Sequence, residues 1–143
     1  MGIKLYDING TTAAGGGDTQ DTEEVITGEL ISVRVRGDNL TAGANLTLQT
    51  VDAEQGGAES LGETLVDNGD IGQTDGVGGR DITYLYPRRL EQDVDGTVLD
   101  LNANEAGEQN ASVPFVIPGT KVRATIVAGG NEVQYTVTLV VRT

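Results

Sequence analysis

The chain has 143 residues, 22 of them Asp or Glu and nine Lys or Arg, for a formal net charge of −13, and it contains neither Cys nor His. That composition excludes disulfides, thiolate and imidazole catalysis, and zinc sites built on either ligand. It also argues against nucleic acid or an anionic membrane as a partner, because binding phosphate needs Lys and Arg.

The length suits one domain with a real core. Four Tyr, one Phe and no Trp leave that core to Val, Leu, Ile and Ala. The 21 glycines, with abundant Thr and Val, favour strands joined by turns over helices. No run approaches the 18 or so apolar residues of a membrane-spanning helix, and MGIKLYDING lacks the basic flank and apolar stretch of a secretory signal. Only Lys4 and Lys121 accompany seven Arg. Such acidity on a strand-forming chain points to solubility in high salt, where self-repulsion is screened, with an ordinary acidic surface as the alternative.

In chain order, residues 3–8 (IKLYDI) alternate as a short strand, and residues 9–24 (NGTTAAGGGDTQDTEE) read as a polar, Gly-rich flexible arm. The expected organisation is therefore an N-terminal strand and arm over 1–24 and a single β-sandwich domain over 25–143. VITGELISVRVRGD follows as a long strand, with Ile31, Val33 and Val35 on one face and Ser32, Arg34 and Arg36 on the other. Residues 44–51 (ANLTLQTV) form the next, with Leu46 and Leu48 inward. Leu61–Val66 has strand character, and Asn68–Gly79 reads as a long loop. In DITYLYPRRLEQ, Ile82, Tyr84 and Tyr86 alternate against Thr83 and Leu85 until Pro87 halts the ladder. Asp95-Gly96 marks a turn into TVLDL. SVPFVIPG is a strand interrupted by Pro114 and closed by Pro118-Gly119.

The closing stretch carries the strongest pattern. Val122, Ala124, Ile126 and Ala128 share one face of one run, and Val133, Tyr135, Val137, Leu139 and Val141 share one face of the next. Gly129-Gly130-Asn131 separates them, which reads as a β-hairpin. Eight or nine short strands in all predict an all-β fold, an antiparallel β-sandwich of jelly-roll-like type with an N-terminal arm.

Catalytic chemistry is not signalled. With 22 acids, some carboxylates meet by chance, so a glycosidase-like pair carries no weight. Asp93-Val94-Asp95-Gly96 and the run Asp67–Asp75 offer oxygens to Ca²⁺, but the glycine spacing misses the EF-hand pattern, and solvated turn acids explain them better. Arg36-Gly37-Asp38 matches a cell-adhesion tripeptide and is better explained as a strand-end turn. Sequons at Asn9, Asn39, Asn45 and Asn110 are expected by chance in a Thr-rich chain. The Gly-rich loops lack the following Lys-Thr and helix that would cradle phosphate. No metal, cofactor or enzymatic activity is expected. The distinctive cluster is Tyr84-Leu85-Tyr86-Pro87-Arg88-Arg89, concentrating residue types enriched at protein contacts. The competing reading places Tyr84 and Tyr86 in the core.

GELISVRV (28–35), YLYPRR (84–89), Asp95-Gly96, VPFVIPG (113–119) and the closing pair of strands together resemble the capsid decoration, or cement, proteins of tailed viruses. That resemblance implies a trimeric, jelly-roll-like protein on the capsid exterior that clamps neighbouring major capsid proteins. With the acidic composition, it implies a virus of a halophilic host, such as a haloarchaeal tailed virus. Expected partners are the protein itself, as a homotrimer, and the major capsid protein. Interface candidates are Tyr84, Tyr86, Arg88 and Arg89, with Ile3, Leu5, Tyr6 and Ile8 of an arm expected to dock on trimer mates or on the capsid. The competing reading pairs that strand within its own sheet and makes the Gly-rich stretch a long surface loop. The alternative is an Ig-like binding module of a tail or surface adhesin contacting a host glycan.

Overall fold

The computed structural model describes residues 2–55, 58–72, 82–90 and 112–143. Among them are nine strands and no helix: β1 (Ile3–Thr11), β2 (Asp18–Asp21), β3 (Ile26–Gly37), β4 (Asn45–Gln55), β5 (Ala58–Asp70), β6 (Ile82–Leu85), β7 (Arg88–Leu90), β8 (Ser112–Val127) and β9 (Gln134–Arg142). All pairings are antiparallel, and the main hydrogen-bonded path runs β1-β9-β3-β8-β4-β5. The fold is an antiparallel β-sandwich, as the alternation predicts.

Strand β8 makes the path into two layers. Its first half pairs with β3, from Leu30↔Phe115 to Ile26↔Thr120. Its second half, Lys121–Val127, pairs with β4 on one edge and β2 on the other. The strand changes sheets just past Pro118 and Gly119, where Gly119 adopts φ 88° and the register with β3 shifts. Such irregularities let one strand serve two sheets. The front sheet is β1-β9-β3 with β6 and the first half of β8 beyond β3. The back sheet is β2, the second half of β8, β4 and β5.

Their inner faces make one core. Tyr6, Ile8, Val33, Val35, Val137, Leu139 and Val141 from the front meet Leu46, Leu48, Leu65, Val122, Ala124 and Ile126 from the back. Full burial of each Val, Leu or Ile contributes about 1.5–3 kcal/mol. Two elements outside the expected strands join them: Leu40 and Ile71, each almost wholly buried.

Several expectations need correction. The closing runs are not a hairpin, because Val122–Val127 belongs to the back sheet and Gln134–Arg142 to the front. In a hairpin both apolar faces would lie on one side of one sheet. Here they face each other across the core. Ala128, Gly130 and Glu132 take φ 58°, 101° and 52°, and these left-handed residues carry the chain from one layer to the other.

The Gly-rich arm is not a free arm. β1 pairs with β9 over nine residue pairs, Ile3↔Arg142 to Thr11↔Gln134, within its own chain. The four polar residues of β2 form a strand against β8. Between them, Thr12 closes the sheet-to-sheet arch. Its amide donates to the Val133 carbonyl at 2.9 Å, its hydroxyl donates to the Gly130 carbonyl at 2.6 Å, and it accepts from the Val133 amide at 2.8 Å. The Gly129 amide donates to the Gly16 carbonyl at 2.8 Å. Residues 12–17 thus satisfy the backbone of the arch, which a buried turn requires.

Three smaller corrections follow from register. A bulge between Leu30 and Ser32 resets the alternation, so Leu30 rather than Ile31 shares the inner face with Val33. The strand read as ending at Pro118-Gly119 continues to Val127. In β6, Thr83 and Leu85 face inward while Tyr84 faces solvent, which corrects the competing reading that put Tyr84 and Tyr86 in the core. Asp95-Gly96, TVLDL, Asn110 and most of the Asn68–Gly79 loop lie outside the described residues.

Candidate functional site

The front sheet turns an ordered outer face to solvent, and the strand registers fix its composition row by row. Ile3, Arg142, Glu29 and Val116 stand side by side across β1, β9, β3 and β8. Leu5, Val140 and Ser32 form the next row. Asp7, Thr138, Arg34 and Tyr84 follow across β1, β9, β3 and β6, and then Asn9, Thr136, Arg36 and Ile82. The bulge in β3 is what brings Arg34 and Arg36 into these rows. It leaves both outward, opposite the hydroxyl face of β9.

This face mixes apolar and cationic groups. Tyr84 is 52 % exposed and Tyr86, in the link to β7, 69 %. Ile3, Leu5 and Val116 are also exposed, and Val140 between them is nearly covered. On β1, Asp7 accepts from the Thr138 hydroxyl at 2.6 Å and Asn9 from the Thr136 hydroxyl at 2.7 Å. Both side chains are thereby held on the β9 side. At the outer edge of the face, Arg142 reaches Glu29 at 3.4 Å. A shallow groove of about 690 Å³ crosses the far end, lined by Asn9, Thr11, Arg36, Asp38, Gln134 and Thr136.

The eight residues expected at an interface divide. Tyr84 and Tyr86 are presented to solvent, as are Ile3 and Leu5. Tyr6 and Ile8 are core residues, 9 % and 2 % exposed, because on a strand they alternate with Leu5 and Asp7. Arg88 and Arg89 are exposed but occupied. The Arg88 guanidinium donates to the Ser112 hydroxyl at 2.9 Å and carbonyl at 2.8 Å, fastening β7 to β8. Arg89 lies 4.0 Å from Glu63. The first strand and the YLY segment therefore come together only through β9 and β3, and Arg34, Arg36, Val116 and Val140 join them unannounced. The alternation of ISVRVR marked the two arginines as outward. No sequence signal tied them to Tyr84.

Two other polar clusters are structural. The Tyr135 hydroxyl donates to Asp18 at 2.6 Å. Burial, and then this carboxylate, push its pKa far above the ordinary phenol range. A Cβ at Gly10 would collide with both groups, so a larger residue there would have to displace the pair. Asp21 takes a two-pronged ion pair from Arg123, at 2.7 and 2.9 Å, and the guanidinium holds its carboxyl below the usual range. Arg36-Gly37-Asp38 ends β3, and the Asp38 amide donates to the Gln134 carbonyl at 3.0 Å. Among the described residues, no three acids cluster as a metal site would require.

No family model matches the chain, and no curated protein does. Two solved structures are similar. The crystal structure of FLHE matches over the whole of both chains at 12 % identity, with a TM-score of 0.40. The infectious bursal disease virus VP2 subviral particle matches over 98 % of this chain and 32 % of that one, at 13 % identity and a TM-score of 0.35.

Proposed function

We propose that this chain is a non-enzymatic structural protein of a virion. In this reading it decorates the capsid exterior and stabilises it by binding neighbouring major capsid proteins. It acts as a homotrimer on particles assembled in the cytoplasm of a halophilic host. The observation that supports this reading is the front outer face, where Ile3, Leu5 and Tyr84 remain exposed beside arginines. Large apolar groups around guanidinium groups are the composition of protein–protein contacts rather than of a reaction centre. The fold suits the role, since a rigid sandwich presents a flat, preorganised surface at low entropic cost.

The experiment is co-sedimentation of the purified protein with capsid shells from the particle that carries this chain, at high salt, followed by imaging. Saturable binding at regular sites on the exterior is expected. Protein that stays in the supernatant at saturating concentration overturns the reading. Sedimentation of the free protein at micromolar concentration should give a trimer, and a monomer that binds cell-surface sugar would instead return an adhesin module.

A further inference from the structure

We infer that the front face grips an acidic protein segment. Its two carboxylates, two residues apart on an extended chain, are held by Arg34 and Arg36 beside Tyr84. The inference rests on the front face being the docking face and names the chemistry of what it takes.

The charge distribution carries the argument. With 22 acids against nine bases, a surface cation should find a carboxylate within its own chain. Most do. Lys4 meets Glu24 at 3.0 Å, Arg89 meets Glu63, Arg123 meets Asp21 and Arg142 meets Glu29, while Arg88 is bound to Ser112. Among the described residues, Arg34, Arg36 and Lys121 have neither an ion pair nor a hydrogen bond from their side chains, and of these the two arginines share the front sheet while Lys121 lies on the back one. The rows explain why. The nearest acid in register with Arg34 is Asp7, one strand beyond β9 and turned to Thr138. The corresponding position for Arg36 is Asn9, an amide turned to Thr136.

The two guanidinium groups share one face of one strand at alternate positions, about 6.6 Å apart by strand rise. An extended acidic segment places alternate carboxylates at the same spacing, so two forked pairs form in register. Tyr84 opposite Arg34 and Ile82 opposite Arg36 flank the pairs with apolar surface. That surface excludes water as the segment docks and keeps the attraction from full screening in salt. Nucleic acid is disfavoured, because its continuous charge meets the rest of a −13 chain. A short segment concentrates its charge at the two arginines.

The test uses the full chain and a synthetic peptide of about ten residues with a central Asp-Val-Asp, titrated and followed by amide NMR. Controls carry Asn-Val-Asn or adjacent Asp-Asp. Shifts are expected at 34–36, 82–84 and 136–140. Arg34→Gln with Arg36→Gln should weaken binding about tenfold or more with the remaining spectrum unchanged, and both control peptides should bind correspondingly weakly. Equal affinity for adjacent Asp-Asp, shifts elsewhere, or displacement of the peptide by equimolar inorganic phosphate would overturn the inference. Shell binding separates the two readings. Shells that bind the double variant as well as the native chain sink this inference and leave the virion role standing. Peptide binding without shell binding does the reverse.

Discussion

On the outer face of the back sheet, Thr64, Gln49, Arg123 and Asp21 stand in one cross-strand row. They bond in two pairs, Gln49 to Thr64 at 3.4 Å and Arg123 to Asp21 at 2.7 Å. On the front sheet, the row Asp7, Thr138, Arg34 and Tyr84 closes its acid onto a hydroxyl and leaves its arginine open. The same residue types thus give a self-contained row on one sheet and a row with an open arginine on the other. What differs is strand order. β2 sets Asp21 directly beside Arg123, whereas β9 stands between Asp7 and Arg34. A charge one strand away is a partner, and a charge two strands away is not.

The largest expected effects lie where the two sheets are alike. Leu139→Ala on the front inner face and Leu48→Ala on the back remove fully buried side chains from one shared core. Each should cost about 2–5 kcal/mol in urea unfolding, and a large difference between them would mean that the layers unfold separately. Thr12→Val should cost about 1–3 kcal/mol, because it leaves the Val133 amide and Gly130 carbonyl of the arch without their side-chain partner.

The charged rows come next. Arg123→Ala should cost about 1–2 kcal/mol, since it strips a partly buried carboxylate of a two-pronged partner. Arg34→Ala and Arg36→Ala should each stay within about 0.5 kcal/mol. Equal losses at the three positions would erase the contrast between the faces. The pH dependence sharpens it. Because Arg123 lowers the Asp21 pKa in the folded state, the pair's contribution is fully present above the ordinary value of 3.8. It is lost as pH falls through the depressed folded value. The stability gap between the native chain and Arg123→Ala should therefore narrow as pH drops below about 4, with no such trend for Arg36→Ala. At the alkaline end, the raised Tyr135 pKa gives a contribution that is complete below 10.0 and declines as pH rises above it. Tyr135→Phe should flatten that decline.

The smallest expected effect has the opposite sign. Among the described residues the inward Thr83 hydroxyl has no hydrogen-bond partner, so Thr83→Val should be neutral or stabilise by up to about 1 kcal/mol. A thermal melt showing a loss beyond 1 kcal/mol would mean that this hydroxyl is satisfied after all.

Local alternation was enough to read β1, much of β3, β4, the second half of β8, β9 and the inner residues Leu46, Leu48, Val122, Ile126, Val137 and Leu139. A strand's two faces follow from the chain alone. Alternation does not say which face another strand covers. Gly129-Gly130-Asn131 suits a hairpin or an arch equally, and Thr12 and Gly16, more than a hundred residues upstream, close the arch. DTQD has no apolar period at all. It becomes β2 because the edge of β8 offers backbone groups and Arg123 offers Asp21 a partner. In ITYL both faces carry large side chains, so only pairing with Val33–Arg36 sends Tyr84 outward. The composition also showed that arginines are scarce among acids. That two of them find no partner among the described residues beside Tyr84 was decided by the tertiary structure, because side-chain partners depend on strand order and register between segments far apart in sequence.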